Sequence, residues 1–364
     1  MTIGEVAQML ENFAPLANAE DFDNVGLLVG QPGWQLSGVL VALDTVEAVV
    51  DEAIEKQCNL IVSFHPIIFS GLKKINGGDY VQRAVLKAIK NDIAIYAIHT
   101  ALDNQPHGVS KGMCDMLNLT NRKILIPAKG KLKKLITYVP AESLGAVRDA
   151  LFDAGAGNIG NYDRCSFGIQ GEGTFRGNAE SSPTVGKPGE MKHQPETQLQ
   201  VIFEGHQQRT ILKALFDAHP YEEVAYDLVV LDNTYQNLGM GMTGDLPSAV
   251  PVNIFLETVR EKFHAKGIRY AGPENNKIRK VAVLGGSGSF AINAAKAAGA
   301  DAFITSDLKY HNYFQAGEEL LLLDIGHYES EQYTKKIIAD FLTKKISNFA
   351  VILAETNTNP IKYL

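Results

Sequence analysis

Five side chains, His65, His99, Asp103, His327 and Glu331, are of types that do chemistry together when the chain brings them to one place. His65 follows the apolar run LIVS and falls at the carboxyl end of a buried strand, where open α/β sheets place their ligands. His99 and Asp103 leave a second such run, DIAIYAI, and His327 and Glu331 leave a third, ELLLLDIG. Imidazole nitrogen suits zinc, iron and nickel, and carboxylate adds hard oxygen and negative charge. The set therefore points to a divalent cation, with a carboxylate able to bridge if two ions are present. No GxSxG elbow, no HExxH and no Cys placed with a His argues for a different nucleophile.

The elements that must position these groups read as strands and helices in a repeated order. GVLVALD, VEAVVDEAIEKQC and NLIVSFHPIIF form strand, amphipathic helix, strand. The same order returns as KVAVLGG, SFAINAAKAAGA and DAFITSDLKYH. Laid together without a gap, Val39–Leu43 sits over Val281–Gly285, and Val62-Ser63-Phe64-His65 over Ile304-Thr305-Ser306-Asp307. Apolar strands match cheaply, since every buried strand is rich in Val and Ile. The recurrence of His-x-x-x-acid after the equivalent strand is a stronger sign, and it argues for an internal duplication. Ahead of the first repeat, Ile3, Val6, Met9, Leu10 and Phe13 carry the spacing of a helix with one buried face.

Between the repeats, residues 126–245 differ in character. The order LKKLITYVP, AESLGAVRDALFDAG, CSFGIQGEGTFRG, a polar loop over 178–197, QLQVIFEG, QQRTILKALFDAHP and AYDLVVLD is that of a ferredoxin-like unit. The expected organisation is a duplicated, two-lobed α/β core, lobes 1–125 and 246–364, carrying an inserted α+β domain at 126–245.

The 364 residues are 45% hydrophobic and 21% charged, which excludes a disordered or fibrous chain. Thirty-four Lys and Arg against 41 Asp and Glu leave a net charge of −7, with no broad attraction for nucleic acid or an anionic membrane. Three scattered cysteines encode neither a disulfide framework nor a thiolate zinc site. With no basic region ahead of an apolar stretch at the amino end, and no run of about eighteen apolar residues, a soluble cytoplasmic protein is expected.

Four other motifs read as structure first. GGSGSF (Gly285–Phe290) could present backbone N–H groups to a phosphate, but it lacks both GxGxxG spacing and a Walker Lys, and a tight strand-to-helix turn serves as well. FDNVGLLVG, with Asp23 and Asn24, reads as a turn into a strand. HPYEEVAYD, with His219, Glu222 and Glu223, reads as a polar turn, and the lysines between 129 and 134 as a solvated linker.

FDNVGLLVG, SFHPIIF, HTALDN, VAVLGGSGS and GHYESE, in this order along the chain, together resemble the Nif-three-like family, the GTP cyclohydrolase 1 type 2 homologs. The insert resembles the PII-like or CutA-like domain of its longer bacterial members. The resemblance implies a homohexameric ring with a dinuclear metal centre in each subunit, and His65, Asp103, His327 and Glu331 as metal ligands. The family's pair of adjacent histidines is broken here by Phe64, so His99, Asp307, His311 or water would complete a second site, or one ion would bind tightly and one weakly. The expected function is a metal-dependent hydrolase acting on a nucleotide or phosphoester, with zinc, iron or manganese at one or two ions per subunit. The alternative is a non-catalytic regulatory or scaffold hexamer whose insert senses a small molecule.

Overall fold

A computed structural model describes residues 1–364, which divide into two compact units: Met1–Pro127 with Gln236–Leu364, and Ala128–Tyr235. The fold is mixed α/β with three sheets. No helix is long and apolar enough to cross a membrane.

In the first unit, the strands Gly38–Ala42, Leu60–Ser63 and Ala94–Ala97 lie parallel in that spatial order, and Gly26–Val29 closes one edge antiparallel to Ala94–Ala97. Successive side chains alternate between two cores. Val39, Val41 and Val62 join the opening helix Ile3–Phe13, while Leu40, Ala42 and Ile61 meet the helices Glu47–Glu55 and Tyr80–Lys90. Burial on both faces explains why these strands read as unbroken apolar runs. The opening helix starts at a capping box, in which the Thr2 hydroxyl accepts from Glu5 N at 3.2 Å and the Glu5 carboxylate accepts from Thr2 N at 2.7 Å.

The second sheet repeats the plan. Lys277–Ser287, Ala302–Ser306 and Leu321–Asp324 are parallel in the same order, and Arg269–Ala271 closes the edge antiparallel to Leu321–Asp324. The short helices His99–Asp103 and His327–Glu331 leave the third strand of each sheet. This correspondence of order, direction and edge strand is what an internal duplication produces.

The sheets do not follow a cut into lobes 1–125 and 246–364. The late strand Ala350–Leu353 pairs with Gly38–Ala42, and the helix Thr334–Lys345 buries Ile338 and Leu342 against the opening helix. In exchange, the helix Val109–Met116 and the strand Thr120–Ala128 serve the second sheet, where Met113, Leu119 and Ile124 are buried. Each half of the chain completes the core of the other. The expected insert of 126–245 is also too long at both ends. Ile126 and Pro127 continue the strand Thr120–Ala128, and Met242–Asp245 pair with Val283–Lys280.

The second unit runs β-α-β-β-α-β: Leu132–Pro140, Leu144–Asp153, Ser166–Phe175, Lys192–Glu204, Gln208–Ala218 and Tyr226–Leu231. Its sheet is wholly antiparallel with Leu132–Pro140 and Lys192–Glu204 at the centre, the ferredoxin-like arrangement. Its own core joins Leu135, Leu199 and Val201 to Val147, Leu151 and Leu215 of the two helices. The polar loop expected over 178–197 ends earlier, since Lys192 already pairs with Phe175.

Candidate metal centre

His65 is held by backbone pairing that outruns the strand. Phe64 N donates to Ala42 O at 3.0 Å and His65 N to Leu43 O at 2.9 Å, so the imidazole is carried on a rigid continuation of Leu60–Ser63. One residue past Leu43, Asp44 presents Oδ1 at 2.8 Å from His65 Nδ1. A carboxylate only accepts, so Nδ1 carries the proton and Nε2 is directed away from Asp44.

His327 and Glu331 are one helical turn apart on His327–Glu331, and Gly326 opens that helix at φ +93°. A Cβ on Gly326 would collide with the Glu329 carboxylate, so only glycine fits there. His327 Nδ1 is held by Asp307 Oδ2 at 2.7 Å. Asp307 itself sits at φ +56°, an unusual conformation for a residue with a side chain, and it also accepts from the Ser287 hydroxyl.

With both Nδ1 atoms engaged from behind, the front nitrogens converge. His65 Nε2 and His327 Nε2 lie 3.0 and 3.1 Å from the same oxygen, Glu331 Oε2, and 3.4 Å from each other. The three ligand atoms fall within 4.8 Å of one another. Glu331 Oε2 is buried and makes no well-angled hydrogen bond, although two imidazoles stand at hydrogen-bond distance. Two nitrogen lone pairs and one carboxylate oxygen aimed at a common point, each imidazole backed by an aspartate, form the donor set and outer shell that divalent metals take. The residues fit such an ion.

The electrostatics show what protons do in its place. Burial disfavours the imidazolium of His65, but the hydrogen bond to Asp44 and the Glu331 carboxylate at 3.0 Å outweigh it and lift the group to about 9. Against the same burial, Asp307 and Glu331 lift His327 to about 11. Burial would raise Glu331, yet the two histidines draw it down to about 2. Without a metal, the cluster holds its positive charge as protons on the ring nitrogens, which a cation would displace.

Of the expected ligands, the structure brings His65, His327 and Glu331 together and leaves Asp103 outside that group. Asp103 is raised well above the carboxylate range, by burial first and by the Glu331 anion second. His99 sits edge-on to His65 with ring centroids 5.3 Å apart, and its Nδ1 lies 2.9 Å from Asp23 Oδ1. Burial opposes the Asp23 charge, but contacts from His99 and Thr100 bring it down to about 2. Asp23 is therefore part of the site rather than a simple turn residue. Asp307 holds a ligand from behind, and His311 is exposed among Tyr310 and Phe314. Phe64 is fully buried in the core; its ring meets those of His65 and His99 at centroid distances of 5.0 and 5.4 Å, and its carbonyl accepts from His99 N at 2.9 Å.

Asp44 escaped the sequence reading, and its signal was only an acid closing the strand GVLVALD beside the strand that carries His65. The GGSGSF motif has a packing explanation. Gly286, at φ +67°, would drive a Cβ to 2.5 Å from Glu331 Oε1, and its N–H donates to Ser330 Oγ at 2.9 Å. The glycines let the strand lie against the helix that carries Glu331. His219 uses both ring nitrogens on backbone, Tyr138 O and Tyr221 N, which fits a turn.

The cluster lies on the wall of a cavity of about 1140 Å³. His65, His99, His327 and Asp307 face it on one side, and Phe69, Tyr328 and Tyr363 supply apolar wall.

Comparison with known proteins agrees along the full length. A protein of Bacillus subtilis (strain 168) named GTP cyclohydrolase 1 type 2 homolog is 36% identical over 369 residues, covering 99% of this chain and 98% of that one. The relative of the same name from Staphylococcus epidermidis is 33% identical with complete coverage of both. The crystal structure of a Bacillus cereus protein related to NIF3 superposes with a TM-score of 0.86 at 36% identity, covering 100% of this chain and 99% of that one. Residues 1–360 match the family described as Duf34/NIF3 (NGG1p interacting factor 3), and the chain belongs to that family.

Proposed function

We propose that this protein holds a divalent cation, zinc, iron or manganese, on His65, His327 and Glu331, with Asp103 adding charge outside that group, and uses it to hydrolyse a nucleotide or phosphoester-like substrate. The observation that carries the reading is the convergence of three donor atoms within 4.8 Å while an aspartate holds each imidazole from behind. The name shared by the relatives directs the first substrates to guanine nucleotides. A divalent ion bound there supplies Lewis acidity and brings the pKa of water towards about 7.

The chain's own groups do the rest. Asp44 and Asp307 fix the ring tautomers, and Glu331 balances positive charge. With Nδ1 committed to Asp23, His99 keeps Nε2 to take or give a proton at the cavity wall. Phe69, Tyr328 and Tyr363 offer apolar surface to a substrate on that wall. The test is metal content per subunit by elemental analysis, followed by a screen of nucleotides and phosphoesters. Turnover that disappears in His327→Ala supports the reading. Metal-loaded protein that turns over none of them sinks the hydrolase. We also propose assembly as a homohexamer, with sedimentation checking for a mass six times that of the chain.

A second reading draws on the Ala128–Tyr235 unit. A cavity of about 640 Å³ lies within it, walled by Tyr138, Phe175 and Tyr221, where the Tyr221 hydroxyl donates to Glu196 at 2.7 Å. Aromatic walls around a few convergent polar groups suit a small-molecule site. That favours a PII-like sensing insert on a regulatory scaffold. A ligand that raises the melting temperature of the wild type but not of Tyr221→Ala, in a protein with no turnover, would move the reading there.

A further inference from the structure

After the strand Ala350–Leu353 the chain forms no further helix or strand, yet a run of hydrogen bonds holds it from Ala354 N, which donates to Val41 O at 2.8 Å, to Asn359. Glu52, buried at 8% exposure, accepts from Glu355 N at 2.7 Å, from Thr356 N at 3.0 Å and from the Thr356 hydroxyl at 2.6 Å. Asn357 Oδ1 then accepts from Asn359 N at 3.0 Å, and Asn359 Oδ1 from Ile361 N at 3.0 Å, two successive turns closed by asparagine side chains. This path delivers two adjacent residues to two different supports of the metal centre. The Thr358 hydroxyl donates to Asp44 Oδ2 at 2.5 Å, while Asp44 Oδ1 holds His65. Asn359 Nδ2 donates to Glu329 Oε1 at 3.1 Å, on the helix that carries His327 and Glu331.

His65 stands on the first sheet and His327 on the second, so their relative placement depends on whatever links the two. Asp44 is one third exposed and could turn to water if only one of its oxygens were engaged. Thr358 engages the other and fixes the carboxylate plane, and through it the ring of His65. We propose that residues 354–364 form a strap that sets the spacing of the metal centre, with Thr358 a positioning residue for His65 through Asp44 and Asn359 a positioning residue for the His327 helix through Glu329. This rests on the metal reading above.

The test is zinc affinity of the full-length protein by chelator competition, for Thr358→Val, Thr358→Ser, Asn359→Ala and the Thr358→Val/Asn359→Ala pair. Thr358→Val keeps the shape and removes the donor. The expected loss is about tenfold for that variant and larger for the pair, with near wild-type affinity in Thr358→Ser. In an Asp44→Ala background, Thr358→Val should add nothing. Wild-type affinity in the pair, with weakened binding in Asp44→Ala, overturns the strap while leaving the metal centre intact. If the wild type takes up no zinc, the metal reading fails instead, and crystal structures of the metal-free proteins decide the strap. An unchanged His65–Asp44 and His65–His327 geometry in the pair would overturn it, and a widened one would support it.

Discussion

The two short helices His99–Asp103 and His327–Glu331 start from equivalent places and end in different roles. Each has five residues, begins with His, ends with an acid and follows the third parallel strand of its sheet. In the second, His327 Nε2 and Glu331 Oε2 are 3.1 Å apart and both turn to His65. In the first, Asp23 takes His99 Nδ1 and also accepts from Thr100 N at 3.1 Å and its hydroxyl at 2.5 Å. The ring is thereby committed to a buried carboxylate, and Asp103 is left outside the triad. Duplication preserved position, and residues remote in sequence assigned the roles. The same holds at the aligned positions His65 and Asp307, where one half supplies a ring aimed at the common point and the other supplies the acid that holds a ring.

The sharpest way to break this comparison is Glu331→Gln. Both imidazoles share its oxygen, so metal affinity should fall by more than about 100-fold, beyond the range typical of outer-shell changes. Equilibrium dialysis with elemental analysis reads it directly. A fall of tenfold or less would mean that Glu331 is not a shared ligand.

Phe64→His asks whether the first helix can be given a metal role. Phe64 is 0% exposed, and a histidine there without a partner should destabilise the metal-free protein by about 1–3 kcal/mol. Near His99 and Asp103 it should also raise the metal content of each chain. Unchanged content in a folded variant would mean that Phe64 is not what limits the number of ions.

Asp23→Asn tests the acid that diverts His99. The Asp23 side chain is 0% exposed, and its carboxyl titrates at about 2 against an ordinary 3.8. A depressed folded-state value stabilises the fold above the unfolded value, and that contribution is lost as pH falls through the folded one. The variant should cost about 2 kcal/mol at pH 7, with the gap to wild type closing between pH 4 and pH 2. Urea unfolding at several pH values gives the curve. A pH-independent gap would assign the loss to packing.

Much of this was legible in the residues. The strands near His65, His99 and His327 announce themselves because burial on both faces demands unbroken apolar runs. The β-α-β-β-α-β order of the second unit follows from periodicity alone. The exchange of elements between the halves was not legible. Ala350–Leu353 and Thr120–Ala128 look like any strand, and nothing local says which sheet they join. The aspartates were hidden for a related reason: Asp44 is 21 residues from His65 and Asp23 is 76 from His99, and an acid at a strand end is ordinary until its partner is seen. The glycines of GGSGSF read as a tight strand-to-helix turn as readily as a phosphate loop, and the residue they make room for, Glu331, is remote in sequence and could not be seen there.

The smallest expected effect separates the two acids that end the helices. If Asp103 only adds negative charge outside the triad, Asp103→Asn should weaken metal binding by about tenfold or less, far short of Glu331→Gln. Its effect on the metal-free fold should have the opposite sign. Burial and the Glu331 anion both work against a charge on Asp103, and an amide removes that cost while keeping the shape. The metal-free variant should therefore be more stable at pH 7, by on the order of 1 kcal/mol, and a bound cation should erase the gain because it compensates the second carboxylate. Thermal melts with and without zinc test both signs. A metal-free Asp103→Asn protein that melts below the wild type would mean that the carboxyl makes a contact the fold relies on, and the two helices would then be more alike than their geometry suggests.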